Sequence, residues 1–171
     1  HDREISANVS AAVNLTSPDQ TNSPADAVKL ADFMCFTIYS TNLAYSRAYK
    51  QVLEKLGLTY PQYIALIALW EDGKLTVKGL AESLYLEPST ITPMIKRLEA
   101  MGYVSRTRDL EDERVVWVSL TESGRSLREK GFGFGKQTVA ASGLTPDEFA
   151  VLQKAVARLR NNLIKSTGED V

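Results

Sequence analysis

The sequence predicts a mainly α-helical fold with one small β wing. Three observations carry that expectation. Apolar residues recur at helical spacing through most of the chain. The pattern turns β-favouring only over residues 103–108 and 115–120, on either side of a charged loop. Ser, Thr and Pro stand where helices would begin.

The elements follow in order. Residues 1–22 are polar, rich in Ser, Asn, Thr and Asp, and are expected to form a flexible arm. A single unit is expected over 23–171. Ser23, Pro24 and Asp26 mark a helix start, and Val28, Phe33, Phe36, Tyr39 and Leu43 continue it at helical spacing as far as the stop at Gly57. Thr59 and Gln62 can form a capping box, with a buried helix over 64–70. Glu71, Asp72 and Gly73 make a turn, and Thr76 caps a short helix over 77–84. A second turn, Leu86-Glu87-Pro88-Ser89, leads into a helix over 89–101 that ends at Gly102. The two β-favouring runs form a hairpin whose tip is Asp109-Leu110-Glu111-Asp112-Glu113. Thr121 opens a further helix, which Gly131, Gly133 and Gly135 are expected to interrupt or loosen. Thr145 and Glu148 can form a capping box for a last helix.

Three short helices followed by a two-stranded hairpin is the winged helix-turn-helix order. The expected division is a DNA-binding lobe over 58–121 between dimerisation helices at 23–57 and 122–171. The flanking helices are more apolar than a small core needs, so their spare faces predict a homodimer.

Composition narrows the function classes. The chain has 171 residues, is 44% hydrophobic and carries a net charge of -1. No apolar run approaches the roughly 18 residues of a membrane span. No basic patch and apolar core of a signal peptide opens the chain, and the expected location is the cytoplasm. Cys35 is the only cysteine, which excludes an intrachain disulfide and a multi-cysteine zinc site. Neither metal nor cofactor is expected. The Gly131–Gly135 run lacks the Lys-Ser/Thr ending and preceding strand of a phosphate loop.

Positive charge is local rather than global. In the helix over 89–101, Ser89, Thr90 and Thr92 occupy the N-terminal turn, where hydroxyls can reach phosphates or base edges. Pro93 offers a flat apolar surface to a thymine methyl. Lys96, Arg97, Arg106 and Arg108 follow, against Glu99 alone, and Arg114 follows the acidic tip. Ile91, Met94, Ile95 and Leu98 are expected to seat the helix on its neighbours.

Residues 33–124 resemble the MarR family of bacterial regulators. The likeness rests on Leu58-Thr59-Tyr60-Pro61-Gln62-Tyr63, Leu75-Thr76-Val77 and the run Thr90-Ile91-Thr92-Pro93-Met94-Ile95-Lys96-Arg97-Leu98-Glu99. Asp112-Glu113-Arg114 and Ser119-Leu120-Thr121-Glu122-Ser123-Gly124 complete it. The segment Phe33-Met34-Cys35-Phe36 resembles the reactive-cysteine site of the family's one-cysteine, organic-hydroperoxide-sensing repressors. The resemblance implies a dimer on a pseudo-palindromic double-stranded operator, with no enzymatic activity. It implies that Arg114 enters the minor groove while Asp112 braces the wing, that Cys35 is the redox sensor, and that Tyr39, Tyr49 and Tyr60 surround it. In the family, hydroxyls matching Tyr49 and Tyr60 reach the cysteine from the partner subunit.

The sulfur chemistry requires a thiolate. In a helix beginning at Ser23, Cys35 would lie about a dozen residues from the N-terminus, too far for the dipole to help. No cation adjoins it in sequence, so activation is expected from tyrosine hydroxyls. With no second cysteine, a low-molecular-weight thiol or a backbone nitrogen is expected to cap the oxidised sulfur. Other functions remain open. A MarR-type repressor released by a small aromatic ligand would use Cys35 only for packing. A thiol peroxidase would need a nearby arginine that the sequence lacks. A winged-helix module binding only proteins would have no use for the basic patch.

Overall fold

The computed structural model describes residues 29–168. The expected arm over 1–22 and the helix start at Ser23 lie outside them. The chain divides into two units, His1–Ile38 and Tyr39–Val171.

In the first unit, a single 3-10 turn, Leu30–Asp32, ends at an extended Phe33 (φ −93°, ψ 121°). The long helix α1, Met34–Glu54, begins only after it. A helix continuous from Ser23 is therefore ruled out by the extended backbone at Lys29 and Phe33. Helical spacing alone does not carry a helix through a segment whose apolar side chains are exposed, because most helical stability comes from packing. Leu30 and Phe33, ahead of α1, are both exposed. Cys35 thus stands in the first turn of α1, which corrects the expected distance from the helix start.

The second unit holds the core. After α1, Gly57 takes φ +67° and lets Leu58 N–H return to the Leu53 carbonyl at 3.0 Å. Helix α2, Tyr60–Asp72, starts on the expected capping box: Thr59 N–H donates to Gln62 Oε1 at 2.9 Å, and Gln62 N–H donates to the Thr59 hydroxyl at 3.4 Å. A short strand β1, Lys74–Thr76, follows, then α3, Val77–Ser83, capped by Thr76, and α4, Pro88–Ala100. Strands β2, Val104–Arg108, and β3, Val116–Leu120, form the hairpin. The sheet order is β1-β3-β2, antiparallel throughout, with Thr76 opposite Trp117. The hairpin expected from sequence is thus part of a three-stranded sheet. The third strand, β1, is three residues long, follows the expected turn over 71–73 and ends on Thr76, the cap of α3.

Helices α5, Glu122–Ser126, α6, Arg128–Ala141, and α7, Pro146–Thr167, complete the chain. Helix α7 starts on the expected Thr145–Glu148 capping box. The glycine run does not break α6. Gly131 is buried against Trp70, and its carbonyl accepts the Tyr63 hydroxyl at 2.7 Å. That tertiary packing outweighs a propensity deficit of about 1 kcal/mol per glycine.

Leu53, Leu66, Leu69, Leu80, Ile91, Ile95, Leu98, Val104 and Val118 are the largest fully buried side chains. They join α1, α2, α3, α4 and the sheet into one core. Among the described residues, no helix is long and apolar enough to cross a membrane.

Candidate nucleic-acid interface and sulfur site

Helix α4 has two unlike faces. Ile91, Met94, Ile95 and Leu98 are buried, as their spacing predicts. Ser89, Thr90, Pro93, Lys96 and Arg97 are exposed, and Thr92 is half-buried. Pro88 occupies the first helical position, where its missing N–H costs nothing. Pro93 is also early enough to be tolerated, although the Thr92 hydroxyl turns back onto the Pro88 carbonyl at 2.8 Å.

The hairpin tip is organised by carboxylates. Arg114 is 91% exposed and forks onto Asp112, its Nε 3.0 Å from Oδ1 and one Nη 3.3 Å from Oδ2. The Arg114 backbone N–H also donates to Oδ1. These bonds hold the Asp112 carboxyl below its ordinary range. Asp109 is bonded more heavily. Its Oδ2 accepts from the Trp117 indole at 2.8 Å, and its Oδ1 accepts from the backbone N–H groups of Glu111 and Asp112. Its carboxyl is likewise held low, chiefly by the indole bond. The Lys74 ammonium lies 4.6 Å from the centroid of the Trp117 ring. Arg108 donates to the Glu113 carbonyl at 3.2 Å.

Arg106 behaves differently from the other cations. It forks onto Glu99, with Nη2 to Oε2 at 2.6 Å and Nε to Oε2 at 2.8 Å, while its backbone N–H donates to Oε1 at 3.1 Å. Glu99 therefore ties the last turn of α4 to β2, and Arg106 is not the unpaired surface cation that a count of charges implied.

The sensing residues expected from sequence belong to different units. Cys35 lies in the first and is exposed. It sits in the first turn of α1, where the helix dipole favours negative charge. The tyrosines lie in the second. Tyr39 is exposed, whereas Tyr49 is buried. The rings of Tyr49 and Tyr60 are 5.2 Å apart, and those of Tyr49 and Tyr63 are 5.3 Å apart. Burial, with Tyr49 and Tyr45 nearby, pushes the Tyr60 phenol up. Tyr63 is pushed well above the usual tyrosine range by burial and by its contacts with Tyr49. Both phenols therefore stay protonated, hence able to donate, at neutral pH.

Comparison with known proteins decides the family. The chain is 41% identical over 138 residues to the organic hydroperoxide resistance transcriptional regulator of Bacillus subtilis, spanning 81% of this chain and 94% of that one. The chain belongs to the MarR family of transcriptional regulators. A family model described as transcriptional regulator SarA/Rot matches residues 47–130. The regulator SarZ of Staphylococcus epidermidis is 34% identical over 142 residues, 83% of this chain and 94% of its own. Among solved structures, reduced AbfR bound to DNA matches with a TM-score of 0.66 and 32% identity, covering 79% of this chain and 94% of that one. Overoxidised AbfR bound to DNA matches equally well. MarR of Escherichia coli matches with a TM-score of 0.61 and 25% identity.

In this MarR-family chain the structure brings the predicted residues into three groups. Ser89, Thr90, Thr92, Pro93, Lys96 and Arg97 share α4, while Arg106, Arg108, Asp112 and Arg114 lie on the hairpin. Tyr49 and Tyr60 meet in the second unit. Sequence reasoning missed Asp109, Trp117, Lys74 and Tyr63. The alternation of β3 could have flagged Trp117, whose indole N–H needs an acceptor when partly buried. Tyr63 lay inside the family pattern, but nothing local signalled its bond to Gly131.

Proposed function

We propose that this protein is a cytoplasmic, homodimeric repressor that binds operator DNA and releases it when Cys35 is oxidised by an organic hydroperoxide. The carrying observation is the second unit's display of an exposed polar face on α4 beside a hairpin whose tip projects a carboxylate-held arginine. Residues 58–121 are the DNA-binding lobe, with dimerisation segments at 23–57, which holds α1, and 122–171. The α4 face enters the major groove through Ser89, Thr90, Thr92 and Pro93, with Lys96, Arg97 and Arg108 meeting phosphates. Arg114 enters the narrow minor groove, and Arg106 positions β2 against α4 rather than touching DNA. The resemblance of the relatives supports this reading: one is named for organic hydroperoxide resistance, and AbfR was solved on DNA in reduced and overoxidised forms.

Dimerisation fits the uncovered apolar side chains. Phe33, Met34 and Ile38 on the first unit are exposed, as are Val151, Leu152, Val156 and Leu163 on α7. A second copy of the chain would bury both sets.

The sensing step uses residues of the chain and one molecule of hydroperoxide. The Cys35 thiolate attacks the terminal peroxide oxygen. An S–O bond forms as the O–O bond breaks, and the alkoxide leaves and takes up a proton. The sulfur becomes a sulfenic acid, and the hydroperoxide is reduced to an alcohol. The partner's Tyr49 and Tyr60 donate to the sulfur; within one chain the two rings are neighbours, 5.2 Å apart. Tyr39 is the third tyrosine of the sensing set. Oxidation disturbs these bonds, the lobes shift, and the half-site spacing no longer fits. A low-molecular-weight thiol then caps the sulfenic acid.

The test is selection from a random DNA library by the purified reduced protein. A pseudo-palindromic duplex should be enriched and bound by two chains. Absence of enrichment, or binding by a single chain, would overturn the reading.

A further inference from the structure

We propose that Asp109 is a positioning residue for DNA binding, which sets the wing tip so that Asp112 can present Arg114. The proposal rests on the DNA-binding reading and extends it to residues that do not themselves reach the nucleic acid.

The loop between β2 and β3 is held by few backbone bonds. Its closing backbone bonds are Asp109 N–H to the Val115 carbonyl at 2.9 Å and Val115 N–H to the Asp112 carbonyl at 2.9 Å. Everything beyond depends on side chains. Asp109 Oδ1 gathers the N–H groups of Glu111, at 2.9 Å, and Asp112, at 3.2 Å. The second of those bonds fixes the backbone of Asp112, whose carboxylate holds Arg114. Asp109 Oδ2 takes the Trp117 indole proton at 2.8 Å, anchoring the turn to β3. Trp117 is itself set by the sheet, since it faces Thr76 of β1 in the ladder and carries the Lys74 ammonium over its ring. A chain of contacts therefore runs from β1 through Trp117, Asp109 and Asp112 to Arg114. Leu110, at the tip, is fully exposed, so apolar packing supplies no alternative hold there.

The two oxygens of Asp109 do separate jobs, and this makes the proposal testable by a small change. Asparagine has one carbonyl oxygen, and its NH2 group donates and cannot accept. Asp109→Asn keeps either the backbone bonds of the tip or the indole bond, and loses the other. The side chain is half-buried and lies outside the apolar core, so the fold survives.

The experiment is a double-mutant cycle on the full-length protein, read by fluorescence anisotropy with the duplex that wild type selects, at several salt concentrations. Arg114→Ala should weaken binding about tenfold or more and flatten the salt dependence. Asp109→Asn should weaken it about tenfold and flatten the salt dependence in the same direction. In the Arg114→Ala background Asp109→Asn should cost nothing further, because it acts only through that arginine. Without DNA, Asp109→Asn should quicken amide exchange at Glu111 and Asp112 where the backbone bonds are lost, or shift the Trp117 indole N–H resonance where the indole bond is lost. Wild-type affinity and salt slope in Asp109→Asn, full additivity with Arg114→Ala, or unchanged amide exchange together with an unchanged indole resonance would each overturn the role of Asp109. Wild-type binding that Arg114→Ala weakens would leave the DNA reading standing in those cases. Failure of wild type to bind any duplex would overturn that reading, and this role with it.

Discussion

Gly131 lies so close to Trp70 that a Cβ on it would stand 2.5 Å from the indole Cη2 and 2.6 Å from Cζ3. Trp70 cannot easily yield, because its Nε1 donates to the Gly124 carbonyl at 2.9 Å. Gly133 and Gly135, two and four residues along the same helix, have nothing within 4 Å of the equivalent position.

The three glycines should therefore respond oppositely to alanine. Gly131→Ala should destabilise the protein by about 1–3 kcal/mol through overpacking, despite the better helix former. Gly133→Ala and Gly135→Ala should each stabilise it by about 0.5–1 kcal/mol. Urea denaturation checks both signs. A stabilised Gly131→Ala would contradict the packing described here.

Arg106 and Arg108 should separate in function. Arg108→Ala should flatten the salt dependence of DNA binding, since a phosphate contact is lost. Glu99→Gln should leave net positive charge near the DNA higher yet weaken binding, because it loosens the brace between α4 and β2. Anisotropy against salt distinguishes the two. Tighter binding by Glu99→Gln would show that Arg106 reads DNA directly.

The wing should be acid-sensitive in a defined window. Asp109 and Asp112 are held below their ordinary value of 3.8, and Glu99 below 4.5, by hydrogen bonds and cationic partners. A lowered folded-state value means the stabilisation is complete above those ordinary values. It is lost as pH falls through the depressed ones. The Trp117 indole N–H resonance should stay constant from neutral pH down to 4.5 and move only below 3.8. A transition near pH 6 would contradict the assignment of its partner as Asp109.

What the sequence disclosed was mostly local. Thr59 with Gln62, Thr76, Thr121 and Thr145 with Glu148 all cap helices as expected, because a cap is decided within four residues. The buried face of α4 followed from spacing alone. Non-local facts were hidden. β1 pairs with a strand more than forty residues away, and Gly131 is explained only by Trp70. Arg106 and Glu99 sit on different elements, so a charge count could not pair them. The start of α1 at Met34 was masked by an apolar period that continues upstream without packing to support a helix. The convergence of Tyr49 and Tyr60 came from resemblance, and their ring contact required the fold.

If Cys35 is the switch, its oxidation and the release of DNA must go together. The direct measurement is DNA affinity of wild type and Cys35→Ser, before and after cumene hydroperoxide, with the oxidation state of Cys35 followed by mass spectrometry. Cys35→Ser should fold, dimerise and bind like wild type, because serine is nearly isosteric. Hydroperoxide should lower wild-type affinity about a hundredfold, some 2.7 kcal/mol, as Cys35 gains one oxygen, and should leave Cys35→Ser bound. Tyr49→Phe and Tyr60→Phe should respond more slowly, each lacking one donor. Release of DNA by wild type with Cys35 still reduced, or equal release by Cys35→Ser, would contradict the claim.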